Sequence, residues 1–158
     1  MRKIVSILCA VVALAGLPNA AMAATGNVPF AGLVTSTCVL TVGAPGVLAA
    51  STDFTNLSSF VAGGSAGTIA VLSTGTTFKV SAIAPTAFTS APAGGGDAVN
   101  FSASYQGTGS TSIGSTPGTT ATTVNSGLTN LSVNLAAIKS SGTFNGGAYT
   151  AEVVVRCE

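Results

Sequence analysis

Val99-Asn100-Phe101-Ser102-Ala103-Ser104-Tyr105 decides the fold class. Val99, Phe101, Ala103 and Tyr105 fall on one parity and small polar residues on the other, the pattern of a strand whose successive side chains point to opposite faces. The same period recurs in Leu131-Ser132-Val133-Asn134-Leu135. It recurs again at the C-terminal end, where Tyr149, Ala151, Val153, Val155 and Cys157 share one face and Glu152, Arg156 and Glu158 take the other. Towards the N-terminus, Val28, Phe30, Gly32, Val34, Ser36 and Cys38 hold one parity, and Leu40 and Val42 continue it. Thr68 to Ser73 and Thr77 to Ile83 flank Thr74-Gly75-Thr76 and read as a hairpin with Gly75 in the turn. Short strands are expected over Val47 to Ala50 and within Thr119 to Val124. Nowhere after residue 24 do apolar residues recur at helical spacing over three turns. The fold expected is an all-β sandwich of about seven short strands joined by glycine-rich turns.

The stretches Ala91 to Asp97 and Gly107 to Gly118 are polar and glycine-rich, and they read as exposed loops of one domain, with no second core on either side. Gly63-Gly64-Ser65-Ala66-Gly67 has the glycines of a phosphate-binding loop but neither the lysine nor the following helix that such a loop needs, so it reads as a turn.

The chain begins Met1-Arg2-Lys3, continues with an apolar run from Ile4 to Leu17, and passes through Pro18-Asn19-Ala20-Ala21-Met22-Ala23. A basic start, an apolar centre and small residues at Ala21 and Ala23 form a secretory signal peptide over residues 1–23, with cleavage after Ala23. The apolar run, about fourteen residues, is shorter than the roughly twenty that span a bilayer, so no integral membrane span is expected in the mature form. Residues 24–158 then form a single domain, a size at which about two-thirds of the surface of the unfolded chain can be buried.

Cys9 leaves with the signal, which leaves Cys38 and Cys157 in an oxidising compartment, where a disulfide between them is expected. Closing a loop of about 120 residues stabilises the folded state by about 4 to 5 kcal/mol in the chain-entropy account. A zinc site would need more than two thiols in a chain without histidine.

The mature chain keeps only Lys79, Lys139 and Arg156 against Asp53, Asp97, Glu152 and Glu158. With no basic patch to neutralise phosphates, nucleic acid is not an expected partner. General acid–base catalysis has no histidine to use, and the abundant serines and threonines have no base at a distinctive spacing, so no catalytic residue, cofactor or metal is expected and the protein reads as non-enzymatic. Asp53 and Asp97 are the one pair of carboxylates from which a glycosidase arrangement could be drawn, and nothing in their sequence surroundings marks a site. The nine aromatic residues are scattered along the chain, with no tryptophan, and suggest no sugar-stacking platform.

Two passages carry a family resemblance. Gly26-Asn27-Val28-Pro29-Phe30-Ala31-Gly32-Leu33-Val34, followed by Cys38, resembles the opening of chaperone–usher fimbrial pilins. Gly147-Ala148-Tyr149-Thr150-Ala151-Glu152-Val153-Val154-Val155 is similar to the closing strand of pilins and of spore coat protein U domains. The resemblance implies an immunoglobulin-like β-sandwich that lacks one strand and receives it from a neighbour by β-strand addition. In that case Val28, Phe30 and Gly32 belong to the donor strand, and Tyr149, Val153 and Val155 line the acceptor groove. The partners implied are identical or related subunits, a periplasmic chaperone and an outer-membrane usher. The implied location is a fimbrium at the cell surface, reached by secretion through the periplasm. The alternative is a self-contained secreted sandwich that binds a surface, glycan or protein as a monomer, with the glycine-rich loops as its contact surface.

Overall fold

A computed structural model describes residues 24–158, and the signal peptide expected at residues 1–23 lies outside the described residues. Leu33–Glu158 forms one compact unit. It is an all-β sandwich of two antiparallel sheets.

The larger sheet is organised around one long strand, β9 (Gly127–Lys139), into which Leu131-Ser132-Val133-Asn134-Leu135 extends in both directions. Along one side of β9 lies β6 (Val99–Gly109), which pairs with it from Val99↔Lys139 to Gly109↔Thr129 and carries β7 (Ile113–Pro117) on its outer edge. Two shorter strands share the other side end to end. β4 (Gly67–Ser73) pairs with the first half of β9 and holds β1 (Cys38–Val42), while β3 (Asn56–Ser58) pairs with the second half and holds β2 (Ala49–Ala50). Ser59 fills the junction between them. Its amide donates to the Leu135 carbonyl at 3.0 Å, and its hydroxyl accepts from the Leu135 amide at 3.1 Å.

The smaller sheet runs in the order β10 (Val154–Cys157), β5 (Lys79–Ile83), β8 (Thr122–Thr123). The main core lies between the sheets, with Val71, Tyr105 and Leu131 from the larger one against Val80 and Ala82 from the smaller. Tyr105 and Leu131 sit on the parity that the sequence alternation assigns to the inside. Tyr105 also crosses the core. Its hydroxyl lies 2.9 Å from the Val80 carbonyl and 2.7 Å from the Thr120 carbonyl, acceptors for its proton, and 2.7 Å from the Thr122 hydroxyl, which can donate to it.

Three expectations are corrected. Thr68 to Ser73 and Thr77 to Ile83 do not form a hairpin, because β4 and β5 lie in opposite sheets and the Thr74-Gly75-Thr76 turn carries the chain between them. Both strands bury alternate residues, and a common buried core satisfies that alternation from opposite sides as well as a hairpin would from one. A Cβ at Gly75 would meet the hydroxyl of the exposed Ser36, which can rotate away, and the glycine is not explained by a hairpin turn.

Gly107 to Gly118 is not an open loop but the distal part of β6 and all of β7, with Ile113 buried and Gly107 leaving room for the Ile113 and Leu131 side chains. A single apolar residue among polar ones shows no periodicity, and the edge of β6 supplies the pairing that fixes it. Finally, residues 24–37 form no strand, and β1 begins only at Cys38. Alternation makes a strand possible, but a ladder partner is required to form one.

Candidate functional site: an open groove between unpaired edges

The β6, β7 and β8 side of the sandwich is closed by backbone hydrogen bonds. Gly118, in the passage from β7 to β8, donates to the Ala103 carbonyl of β6 at 2.8 Å and accepts from the Ala82 amide of β5 at 2.9 Å, so one residue links both sheets. A Cβ at Gly118 would run into the Ala82 carbonyl oxygen, which explains the glycine. Among the described residues the β1 and β10 side has no such link. Each of these strands pairs on one side only, β1 with β4 and β10 with β5.

The ladder geometry fixes which backbone groups are left over. Lys79 and Glu158 exchange both backbone hydrogen bonds, at 2.7 and 3.0 Å. Bonded pairs alternate along an antiparallel ladder, so Val154 and Arg156 spend their backbone groups on β5, while Val153, Val155 and Cys157 turn theirs to the free edge. On β1, the Thr74 amide donates to the Thr37 carbonyl and the Gly43 amide to the Thr68 carbonyl, both at 2.9 Å. The same alternation sends the backbone groups of Cys38, Leu40 and Val42 to the other free edge. At both edges the residues with unspent backbone groups are those on the inward parity.

Between these edges lies a groove of about 640 Å³. Ile69, Val133 and Leu135 from the larger sheet form its floor, Tyr149 to Val153 with Val155 form one lip, and Val42 with residues 44–48 forms the other. The volume falls in the range of ligand-binding clefts, and the lining is mostly apolar, with Ser59, Ser65, Thr68, Thr150 and Glu152 among it. Tyr149, Val153 and Val155, expected from the sequence to share a face, are brought together here. Among the described residues Ala151, Glu152 and Val153 make no backbone hydrogen bond. Thr150 is paired, exchanging bonds with Ser90 at 2.9 and 3.3 Å.

One end of the groove is shut by the disulfide. Cys38 and Cys157 are bonded, as expected, with 6.3 Å between their Cα atoms. The bond joins strands of opposite sheets across the sandwich, and does not lie between neighbours in one sheet. It fits an oxidising, extracytoplasmic compartment. The other end is anchored by Tyr149, whose ring packs at 5.0 Å from Phe88 and 5.4 Å from Phe144, and whose hydroxyl donates to the Asn145 carbonyl at 2.8 Å. Phe101 completes this cluster, at 4.8 Å from Phe88. Four aromatics scattered in the sequence are thus collected in one place, which no local spacing announces.

The residues expected in a donor strand are exposed. Val28 is 73 % and Phe30 94 % exposed, Leu33 and Val34 are exposed beyond them, and no atom of the described residues lies where a Cβ at Gly32 would touch it. Within the compact unit, the chain just ahead of β1 is pinned. The Thr74 hydroxyl donates to the Thr35 carbonyl at 2.6 Å and accepts from the Thr37 amide at 2.7 Å, which keeps Thr37 in line with β1 past its start.

Each aspartate lies in its own loop. Asp53 accepts from the hydroxyls of Ser51 and Thr55 and from the Thr55 amide, and these bonds hold its carboxyl below the ordinary carboxylate range. Its carboxylate thereby stabilises a turn in which Phe54 takes a positive φ of 55°. Asp97 lies in the 91–97 loop, where Lys139 donates to its backbone carbonyl at 2.7 Å and to that of Gly94 at 3.2 Å. Glu152, Arg156 and Glu158 are exposed on the outward parity of the C-terminal segment, as expected. Among the described residues no helix is long and apolar enough to cross a membrane. Comparisons with protein-family models, with curated proteins and with solved structures find no match.

Proposed function

We propose that this protein is a non-enzymatic structural subunit of a bacterial surface fibre, in which residues 28–34 of one copy occupy the groove of the next as an added strand. The observation that carries this reading is the pair of free edges around one apolar groove. Val153 and Val155 on one side, and Val42 on the other, offer both unspent backbone groups and apolar side chains, which together specify an extended apolar segment as occupant. Unpaired edges of this kind also invite aggregation, so a periplasmic chaperone that covers the groove until a subunit arrives, and an outer-membrane usher that receives the complex, are the implied partners.

The same chain carries a matching segment. Val28, Phe30, Gly32 and Val34 alternate with the period of a strand, and three of the four are large apolar side chains exposed to solvent. A self-complemented monomer would need this segment to reverse over residues 33–36. Thr74 holds Thr35 and Thr37 at the β1 end, beyond the disulfide, which favours a neighbour's groove over its own.

Light scattering on the secreted, signal-cleaved protein tests this, before and after deletion of residues 24–30. Long SDS-resistant assemblies that disappear on deletion, leaving subunits that still fold with a chaperone, are the expected result. A stable monomer that unfolds on deletion would overturn it.

A further inference from the structure

We infer that Asn145-Gly146 is a site of covalent self-modification, where conversion of Asn145 to aspartate or isoaspartate releases the 91–97 loop and loosens the Tyr149 end of the groove. The inference does not depend on what fills the groove. Asn145 is the one asparagine of the chain that is followed by glycine. Asn56, Asn100, Asn130 and Asn134 lie inside strands, whereas Asn145 and Gly146 are exposed and belong to none. A ladder holds the backbone extended, while the ring that this reaction closes requires the chain to bend. Among the described residues the Gly146 amide makes no hydrogen bond, and nothing lies within 4 Å of a Cβ built there. The attacking nitrogen is therefore unspent and uncovered.

The chemistry needs only water. The Gly146 nitrogen gives its proton to solvent and attacks the Asn145 Cγ. A bond forms between them, the bond from Cγ to Nδ2 breaks, and the departing nitrogen takes up a proton and leaves as ammonia. Water then adds to one of the two carbonyl carbons of the resulting five-membered ring and breaks its bond to the Gly146 nitrogen, which regains a proton. Opening at Cγ gives aspartate, and opening at the backbone carbonyl gives isoaspartate.

What the product breaks is set by the contacts around Asn145. Its side-chain amide donates to the Ala93 carbonyl at 2.9 Å, and its backbone carbonyl accepts from the Tyr149 hydroxyl at 2.8 Å. One residue thus holds both the 91–97 loop and the Tyr149 side chain. Gly95 lies against that side chain, where a Cβ would come within 2.7 Å of the Tyr149 oxygen. Aspartate has no N–H to give to Ala93 and turns a carboxylate oxygen on its carbonyl instead. It also adds a second negative charge, since Asn145 Nδ2 and Asp97 Oδ2 both lie within 3.8 Å of where a Cβ of Gly94 would stand. Like charges so placed repel. Lys139, the cation beside them, is already committed to the Gly94 and Asp97 carbonyls at 3.2 and 2.7 Å. Isoaspartate further lengthens the backbone by one carbon between Phe144 and Tyr149, whose rings pack at 5.4 Å.

The test uses the secreted protein as purified and incubated at neutral pH, with peptide mapping by mass spectrometry and hydrogen exchange read on the same samples. Conversion is expected to accumulate at position 145 several-fold faster than at any other asparagine, and conversion there no faster than at the strand asparagines overturns the site. Gly146→Ala is expected to slow it several-fold with the fold unchanged, because the added Cβ meets open space and Gly146 does not take a positive φ. An unchanged rate in that variant overturns the attack by the Gly146 nitrogen. Converted protein is expected to exchange faster over residues 91–97 and 145–150 while β9 stays protected, and equal exchange before and after conversion overturns the release. Asn145→Asp is expected to reproduce the faster exchange, and parental exchange in it overturns the role given to the new charge. If that variant does not fold, the parent protein converted after folding decides. Neither readout uses assembly, so a failure of strand addition leaves these results standing.

Discussion

The two sides of this sandwich are built from similar residues and end up in opposite states. On the β6, β7 and β8 side, Gly118 carries backbone hydrogen bonds from one sheet to the other and the Tyr105 hydroxyl ties the core across. On the β1 and β10 side, valines of the same size face a groove, their backbone groups have no ladder, and a single disulfide holds the sheets together at one end. Apolar character therefore does not decide what is closed. Closure requires a backbone partner for each edge, and the chain supplies one on the first side only.

Breaking the open side's one covalent link should have the largest effect. Cys38→Ser should destabilise the domain by about 4 kcal/mol in chemical denaturation and leave Cys157 as one titratable thiol, since a loop of about 120 residues is released in the unfolded chain. Two free thiols in the unmodified, denatured protein would contradict the link itself.

Truncation on each side comes next. Leu131→Ala, in the closed core, should cost about 3 kcal/mol through lost burial and a cavity. Val42→Ser, at a groove residue 78 % exposed in this structure, should change the stability of the unassembled domain by less than about 0.5 kcal/mol. The same substitution should shorten assemblies in light scattering. Equal costs for the two substitutions in denaturation would show that the groove is already filled in the single subunit.

Gly118→Ala sharpens the contrast from the closed side. Its Cβ would meet backbone rather than a movable side chain, so separation of the sheets at that corner should cost about 2 kcal/mol, read as a lowered midpoint in denaturant.

The smallest effect is expected at Asp53. Its carboxyl is held below the ordinary range by the Ser51 hydroxyl first and Thr55 second, so the unfolded chain binds the proton more readily than the folded one. The contribution is then present above the unfolded pKa and is lost as the pH falls through the lower, folded value. Melting of Asp53→Asn should differ from the parent at neutral pH and converge with it in acid, and an unchanged difference would exclude the turn's hydrogen bonds as the cause.

The face that each strand buries was legible residue by residue. Val99, Phe101, Ala103 and Tyr105, and Tyr149, Val153 and Val155, lie on the inward parity that their spacing indicates, because side-chain direction in a strand is a local property. The partner was not legible. Val71 and Val80 read as two sides of a hairpin and instead meet across the core from opposite sheets, and the segment from Val28 to Ser36 has the alternation of a strand without a strand to pair with.

The candidate site divides in the same way. The shared face of Tyr149, Val153 and Val155 and the pairing of Cys38 with Cys157 could be read in advance, from parity and from compartment. That Val42 forms the opposite lip, that Ile69 and Leu135 form the floor, and that Phe88, Phe101 and Phe144 gather around Tyr149 depend on contacts between residues far apart in the chain.

By itself the sequence determined an all-β chain, its inward faces, its near-neutral charge and its one disulfide, because periodicity, composition and cysteine count are properties that a linear chain carries. Only the tertiary structure decided that the sandwich is sealed on one side and open on the other. Whether a strand's second edge is paired depends on where other strands come to lie, and no residue carries that information alone.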